Sequence, residues 1–141
     1  MKASFGLMVA GLGLLFAAAP AMAHHSFAAE YDGNKPITLK GTVTKIDWMN
    51  PHIWVYLDVK DDSGSVTHWQ CEGGPPNSLT RNGWTKDALK IGDQVTVEGF
   101  RAKDGTNTIN SRSVKLPDGR SVFAGSAEDG GPNARKGGAG Q

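Results

Sequence analysis

The chain carries four histidines, His24, His25, His52 and His68, and chemistry is first expected where they stand. His24 follows Ala21-Met22-Ala23, which puts small residues at the two positions a signal peptidase reads. Cleavage after Ala23 makes His24 the first residue, so its α-amine and its imidazole can chelate one metal ion together. A neighbouring ring from His25 or His52 completes the site, and nitrogen ligands of this kind suit Cu(II). In the unprocessed chain the same backbone nitrogen is an amide and a poor ligand. The simpler alternative keeps His24 and His25 as solvated residues of the terminus, His52 as a turn residue and His68 as a strand residue.

A second set of residues can bind rather than ligate. Trp54 and Tyr56 are two positions apart and share one face of a strand, and Trp69 on the following strand is expected to join them. Stacked aromatic rings suit a planar or sugar-like ligand. The competing reading packs all three under the lead-in segment or into the core. Asp58, Asp61 and Asp62 lack the spacing of a calcium loop and read as a solvated hairpin tip. Gly73-Gly74-Pro75-Pro76 is followed by no Gly-Lys-Ser/Thr, so it is read as a backbone crossing and not a phosphate loop. Cys71 is the sole cysteine, which excludes an internal disulfide; it reads as a small apolar strand residue. No Ser/His/Asp order, nucleophile elbow or placed carboxylate pair argues for an enzyme.

These residues need elements to position them. Residues 1–23 have the plan of a secretory leader: Lys2 at the start, an uncharged apolar stretch from Phe5 to Ala18, then Pro20 and the cleavage site. The stretch is short for a membrane span, and no cysteine stands at the cut to take a lipid. The chain divides into signal peptide 1–23, an irregular N-terminal arm 24–36, a β domain 37–124 and a Gly-rich disordered tail 125–141. Ile37 to Asp47 alternates apolar and polar residues and predicts a long strand with a bend or bulge at Gly41. After the Asn50-Pro51 turn, Ile53 to Val59 predicts a second strand, and Val66 to Cys71 a third beyond a hairpin turn. A short helix over Ser78 to Arg81, with Asn77 as its cap, precedes strands over Gln94 to Phe100 and Thr108 to Leu116. A short sixth strand or extension spans Arg120 to Phe123. Three strands, a helix and two strands is the order of the OB-fold, an all-β five-stranded barrel with its helix between strands three and four. An open sandwich is the alternative.

With Lys2 removed in the leader, basic and acidic side chains are equal at 14 each. Such a balance leaves no footprint for polyanions, so neither nucleic acid nor an anionic membrane surface is an expected partner. The segments HHSFAAEYD, KPITLKGTVTKIDWMNPHIWVYLDV, EGGPPNSLTRNGW and GDQVTVEGFRAKDGTNTINSRSV, with GRSVFAG after them, resemble an uncharacterised exported bacterial family, domain of unknown function 6152. The resemblance runs from about His24 to Gly125 and implies export and a small β-barrel, but no activity and no functional residue. The expected product is a periplasmic or secreted monomer, a non-enzymatic module that binds a small ligand or another envelope protein. The alternatives are a copper or other transition-metal protein using His24, and an enzyme with an unrecognised site.

Overall fold

The computed structural model describes residues 27–125. The expected signal peptide over 1–23, His24, His25 and all of the expected tail 125–141 but its first residue lie outside the described residues. One helical turn, α1 (Phe27–Glu30), leads directly into β1 (Tyr31–Asp47). The remaining elements are β2 (Trp54–Lys60), β3 (Val66–Glu72), α2 (Pro76–Arg81), β4 (Gln94–Ala102), β5 (Thr108–Lys115) and β6 (Ser121–Phe123). A single 3₁₀ turn covers Lys86–Ala88.

The strands close into a ring. β1 pairs antiparallel with both β2 and β4, β2 with β3, and β4 with β5. The ring is sealed by a short parallel contact that sets Gln70, Cys71 and Glu72 beside Thr108, Ile109 and Asn110. β6 extends β5 outside the ring. The barrel is therefore a five-stranded OB-type ring with α2 between its third and fourth strands, as the sequence predicts, and not an open sandwich. Closure suits a chain this small because it removes exposed sheet edges.

One strand can serve two neighbours because β1 bends. Its bulge falls at Thr44, between Val43 opposite Leu57 and Lys45 opposite Tyr56, and not at Gly41 as expected. Gly41 instead permits a close crossing, since a Cβ there would lie 2.7 Å from the Asp58 carbonyl oxygen. Inward residues, among them Val43, Val55, Leu57, Val97 and Ile109, fill the barrel. Leu79, Trp84 and Leu89 bring the α2 segment into the same core. The helix starts on Pro75 as N-cap and Pro76 at its first position, so Asn77 lies inside it and does not cap it. Proline suits that place because its missing N–H has no intrahelical acceptor there.

The described part of the arm is ordered where the sequence predicts an irregular lead-in. Phe27 and Tyr31 are four residues apart, on one side of the α1 turn, and bury against Phe100 and Ala102 on the outside of the barrel. The Lys103 amide donates to the Glu30 carbonyl at 2.9 Å, which ties the arm to the β4–β5 loop.

Cys71 faces the core at 2% exposure, and burial pushes its thiol up to about 12. Thiolate, not thiol, is the nucleophile. A maleimide at pH 7 is therefore expected to leave the folded protein unlabelled and to label it fully in denaturant. Rapid labelling of the native protein would show that the barrel opens at β3.

Candidate functional site

Strand parity sorts the outer surface of the barrel into two neighbouring sites. On β2 and β3 the residues facing outward are Trp54 opposite Glu72, and Tyr56 opposite Gln70. Trp69 pairs with Leu57 and turns to the core side, at 8% exposure. The three aromatics are thus not one stacked row: Trp54 and Tyr56 stand half-buried on the outer face, and the cross-strand partner of Tyr56 is Gln70.

Tyr56 and Trp69 nevertheless line one open cleft of about 400 Å³, together with Lys45, His68, Gln70 and Asn107. Trp69 reaches it because β3 pairs with β5 only from Gln70 onward, so the ring closes just beyond it. The Lys45 ammonium lies 4.8 Å from the Tyr56 ring centre, and the Arg101 guanidinium 5.2 Å from that of Trp69. Cations over ring faces hold those rings in place. Gln70 donates to Thr108 Oγ1 at 2.8 Å, and His68 Nδ1 lies 2.6 Å from Asp58 Oδ1. The cleft offers flat faces, neutral amides and cations at its rim.

The second site is a buried polar cluster centred on Glu72, which sequence reasoning did not single out. Tyr31 donates its hydroxyl to Glu72 Oε2 in a short hydrogen bond. His52 Nδ1 stands 2.6 Å from the other oxygen, and the Asn110 side chain supplies a further bond. Burial by itself raises the pKa of Glu72, but the bonds from His52, Tyr31 and Asn110 outweigh it, and the net shift is below the usual 4.5. Glu72 is therefore held as a carboxylate. Beside it Arg112, also buried, places its guanidinium 4.9 Å from the Phe27 ring centre and 5.9 Å from that of Phe100. Gly99 makes this packing close: a Cβ there would sit 2.0 Å from the Asn110 carbonyl oxygen.

Glu72, Asn110 and Arg112 occupy outward strand positions, which alternation alone assigns to solvent. They are buried because the arm from Phe27 to Tyr31 lies over them. The one available signal was Phe27-x-x-x-Tyr31, an apolar pair upstream of the first predicted strand with nothing assigned to cover. Of the three histidines read as ligands, His52 joins this cluster, and His24 and His25 lie outside the described residues. Among the described residues, no three His, Cys, Asp or Glu side chains come together as a ready metal site.

Ring closure in the order β1-β2-β3-β5-β4, with an external arm pinned on a buried carboxylate, defines a small OB-type barrel protein. Within that class the chain belongs to the family of unknown function DUF6152, whose profile matches residues 12–111. No curated protein matches it. Among solved structures it is similar to the N-terminal domain of the PriB protein from Thermoanaerobacter tencongensis, which is described as dimeric. The two are 19% identical over 59% of this chain and 96% of that one, with a TM-score of 0.42. No helix among the described residues is long and apolar enough to cross a membrane.

Proposed function

We propose that this chain is an exported, non-enzymatic binding module that takes a small planar or sugar-like ligand in the cleft between Tyr56 and Trp69. The observation that carries the reading is the convergence of two aromatic side chains from adjacent strands on one open cleft of about 400 Å³, with amides from Gln70 and Asn107 at its wall. A volume of that order lies within the usual range for small-ligand pockets. Aromatic faces supply contact area, and amides supply direction. Export is read from the leader at residues 1–23. The equal charge count favours a neutral ligand over a polyanion.

The test is ligand-observed NMR on the mature protein with two probe sets: aromatic heterocycles such as adenosine and flavin mononucleotide, and neutral disaccharides. At least one set is expected to show saturation transfer that Tyr56→Ala reduces by about tenfold in affinity, the equivalent of one aromatic contact. Tyr56 is half-buried on the outer face, so the variant is expected to keep its fold. Binding that ignores Tyr56→Ala, or no binding in either set, would sink the cleft reading. Turnover of any probe would replace it with an enzyme, in which the Asp58–His68 pair at the cleft is the first candidate base.

A further inference from the structure

Only part of β3 is covered on both sides. On one side it pairs with β2 in unbroken register, from Trp54 opposite Glu72 to Lys60 opposite Val66. On the other side β5 covers it only from Gln70 to Glu72. The Gln70 amide points to that second side, where it donates to the Asn107 carbonyl at 3.0 Å. Backbone groups alternate sides along an antiparallel strand, so Val66 and His68 turn their N–H and C=O the same way. Among the described residues no backbone group meets them there. This open stretch also lacks the usual guards of a sheet edge. It holds no proline, no lysine and no bulge, and Val66, Thr67 and His68 are exposed. Open backbone donors and acceptors at strand spacing are matched by one chemistry, the main chain of an extended peptide.

The end of the stretch adds a charge. It stops at Asn107, whose carbonyl holds the Gln70 amide and whose Oδ1 lies 3.5 Å from Arg101 Nη2. The same nitrogen lies 3.5 Å from the Gly105 carbonyl oxygen. The guanidinium stands 5.2 Å from the Trp69 ring centre, and among the described residues no carboxylate pairs with it. A strand laid along Val66 to Trp69 and running the same way as β3, as β5 does, brings its C-terminal end to Asn107 and this guanidinium. The planar fork of an arginine matches a carboxylate with two parallel hydrogen bonds.

We propose that the β3 edge from Val66 to Trp69 takes the C-terminal segment of a partner polypeptide as an added parallel strand, with Arg101 receiving its carboxylate. His68 supplies one backbone donor and one acceptor to the incoming chain, and Val66 supplies a further acceptor. The Trp69 ring holds the guanidinium at the end of the edge. A single terminal carboxylate asks for one cation, which a chain of balanced charge can provide at one place. The site borders the Tyr56 cleft and shares Trp69 with it, but it does not depend on what the cleft holds.

The probes are acetylated pentapeptides of threonine and valine with tyrosine at each position in turn. Each is made with a free C-terminal carboxylate and as the C-terminal amide, and binding to the full protein is followed by two-dimensional amide NMR. At least one carboxylate peptide is expected to shift the Val66 and His68 amides and to bind about tenfold more tightly than its amide, the worth of a hydrogen bond to a charged group. Arg101→Gln is expected to bring the two forms to equal affinity. Methylating alternate peptide nitrogens is expected to abolish binding for the set that faces β3 and to spare it for the other set. No shift with any peptide, or equal binding of carboxylate and amide by the wild-type protein, would overturn the proposal. That second comparison needs no variant, so it stands even where Arg101→Gln fails to fold. Shifts of the same amides that grow with protein concentration in the absence of peptide would also overturn it, by showing that a second copy takes the edge. The cleft reading fails separately, since it is judged with heterocycles and sugars on Tyr56→Ala.

Discussion

Trp84→Ala is expected to cost about 3–5 kcal/mol, a large share of the total stability of a domain of this size. Trp84 keeps only 2% of its surface exposed and meets Trp48 edge-on at 6.0 Å between ring centroids. It lines an interior space shared with Ile53, Cys71 and Val97 that has no room for a water molecule. Removing the indole therefore opens an apolar cavity that cannot be hydrated, and the strands around it belong to a closed ring that cannot collapse inward freely. The indole Nε1 is buried without a hydrogen-bond partner. Trp84→Phe removes that unsatisfied donor along with part of the ring, and is expected to cost less than half as much as alanine. Guanidinium unfolding followed by far-UV circular dichroism checks both variants. An alanine variant with the wild-type midpoint would show that the indole is not part of the core.

Glu72→Ala is expected to be the next most damaging change, at about 3 kcal/mol. That is the low end for breaking a buried ionic contact, because His52 retains partial exposure. The change leaves Tyr31, His52 and Asn110 facing a gap, and it releases the arm that buries Phe27. Tyr31→Phe, which removes one bond to a charged acceptor, is expected to cost about 1.5–3 kcal/mol. The two losses should add to less than their sum in the double variant, since they share one contact. The carboxylate also sets a pH dependence. Because its pKa in the folded protein lies below 4.5, its contribution is fully present above the unfolded value. That contribution is lost as the pH falls through the folded value. Wild-type stability should therefore decline below about pH 4.5 more steeply than that of Glu72→Gln. Parallel acid profiles for the two proteins would mean that the carboxylate does not hold the arm.

Much of the barrel was legible from the chain. The alternation in Ile37–Asp47, Ile53–Val59 and Gln94–Phe100 marks half-buried strands, and the Gly-Gly-Pro-Pro segment marks the break before the helix. The hairpin at Asp61 was readable too: its carboxylate accepts from the amides of Ser63 and Ser65, the local bonding that asparagine and aspartate supply in turns. Element ends were less legible. β1 begins six residues earlier than Ile37 because its first part is held by Ala102 and Phe100 of β4, a partner distant in sequence. The order and direction of the pairings, and above all the parallel contact between β3 and β5, depend on such distant partners.

Parity also explains which site residues could be read from sequence. Trp54 and Tyr56 fall on one face by counting alone, and the structure keeps them there. The place of Trp69 depends on the register of β3 against β2, which sets Gln70 and not Trp69 opposite Tyr56. Glu72, Asn110 and Arg112 stand on outward positions, where local pattern assigns water. The arm overrides the pattern by covering them, and burial then turns surface charges into a bonded cluster.

What the sequence determined by itself is therefore local: the strand and turn chemistry, the charge balance and the supply of histidines and aromatic residues. Each of these follows from a residue and its near neighbours, through backbone preference, alternation or composition. Only the tertiary structure decided that His52 meets Glu72 and Tyr31, that Tyr56 and Trp69 share a cleft, and that Arg112 is enclosed by two phenylalanines. Those contacts join residues up to 85 positions apart, as between Phe27 and Arg112. They form because closing the ring and docking the arm bury apolar surface, which favours bringing distant segments together without recording in any one segment which partner it will meet.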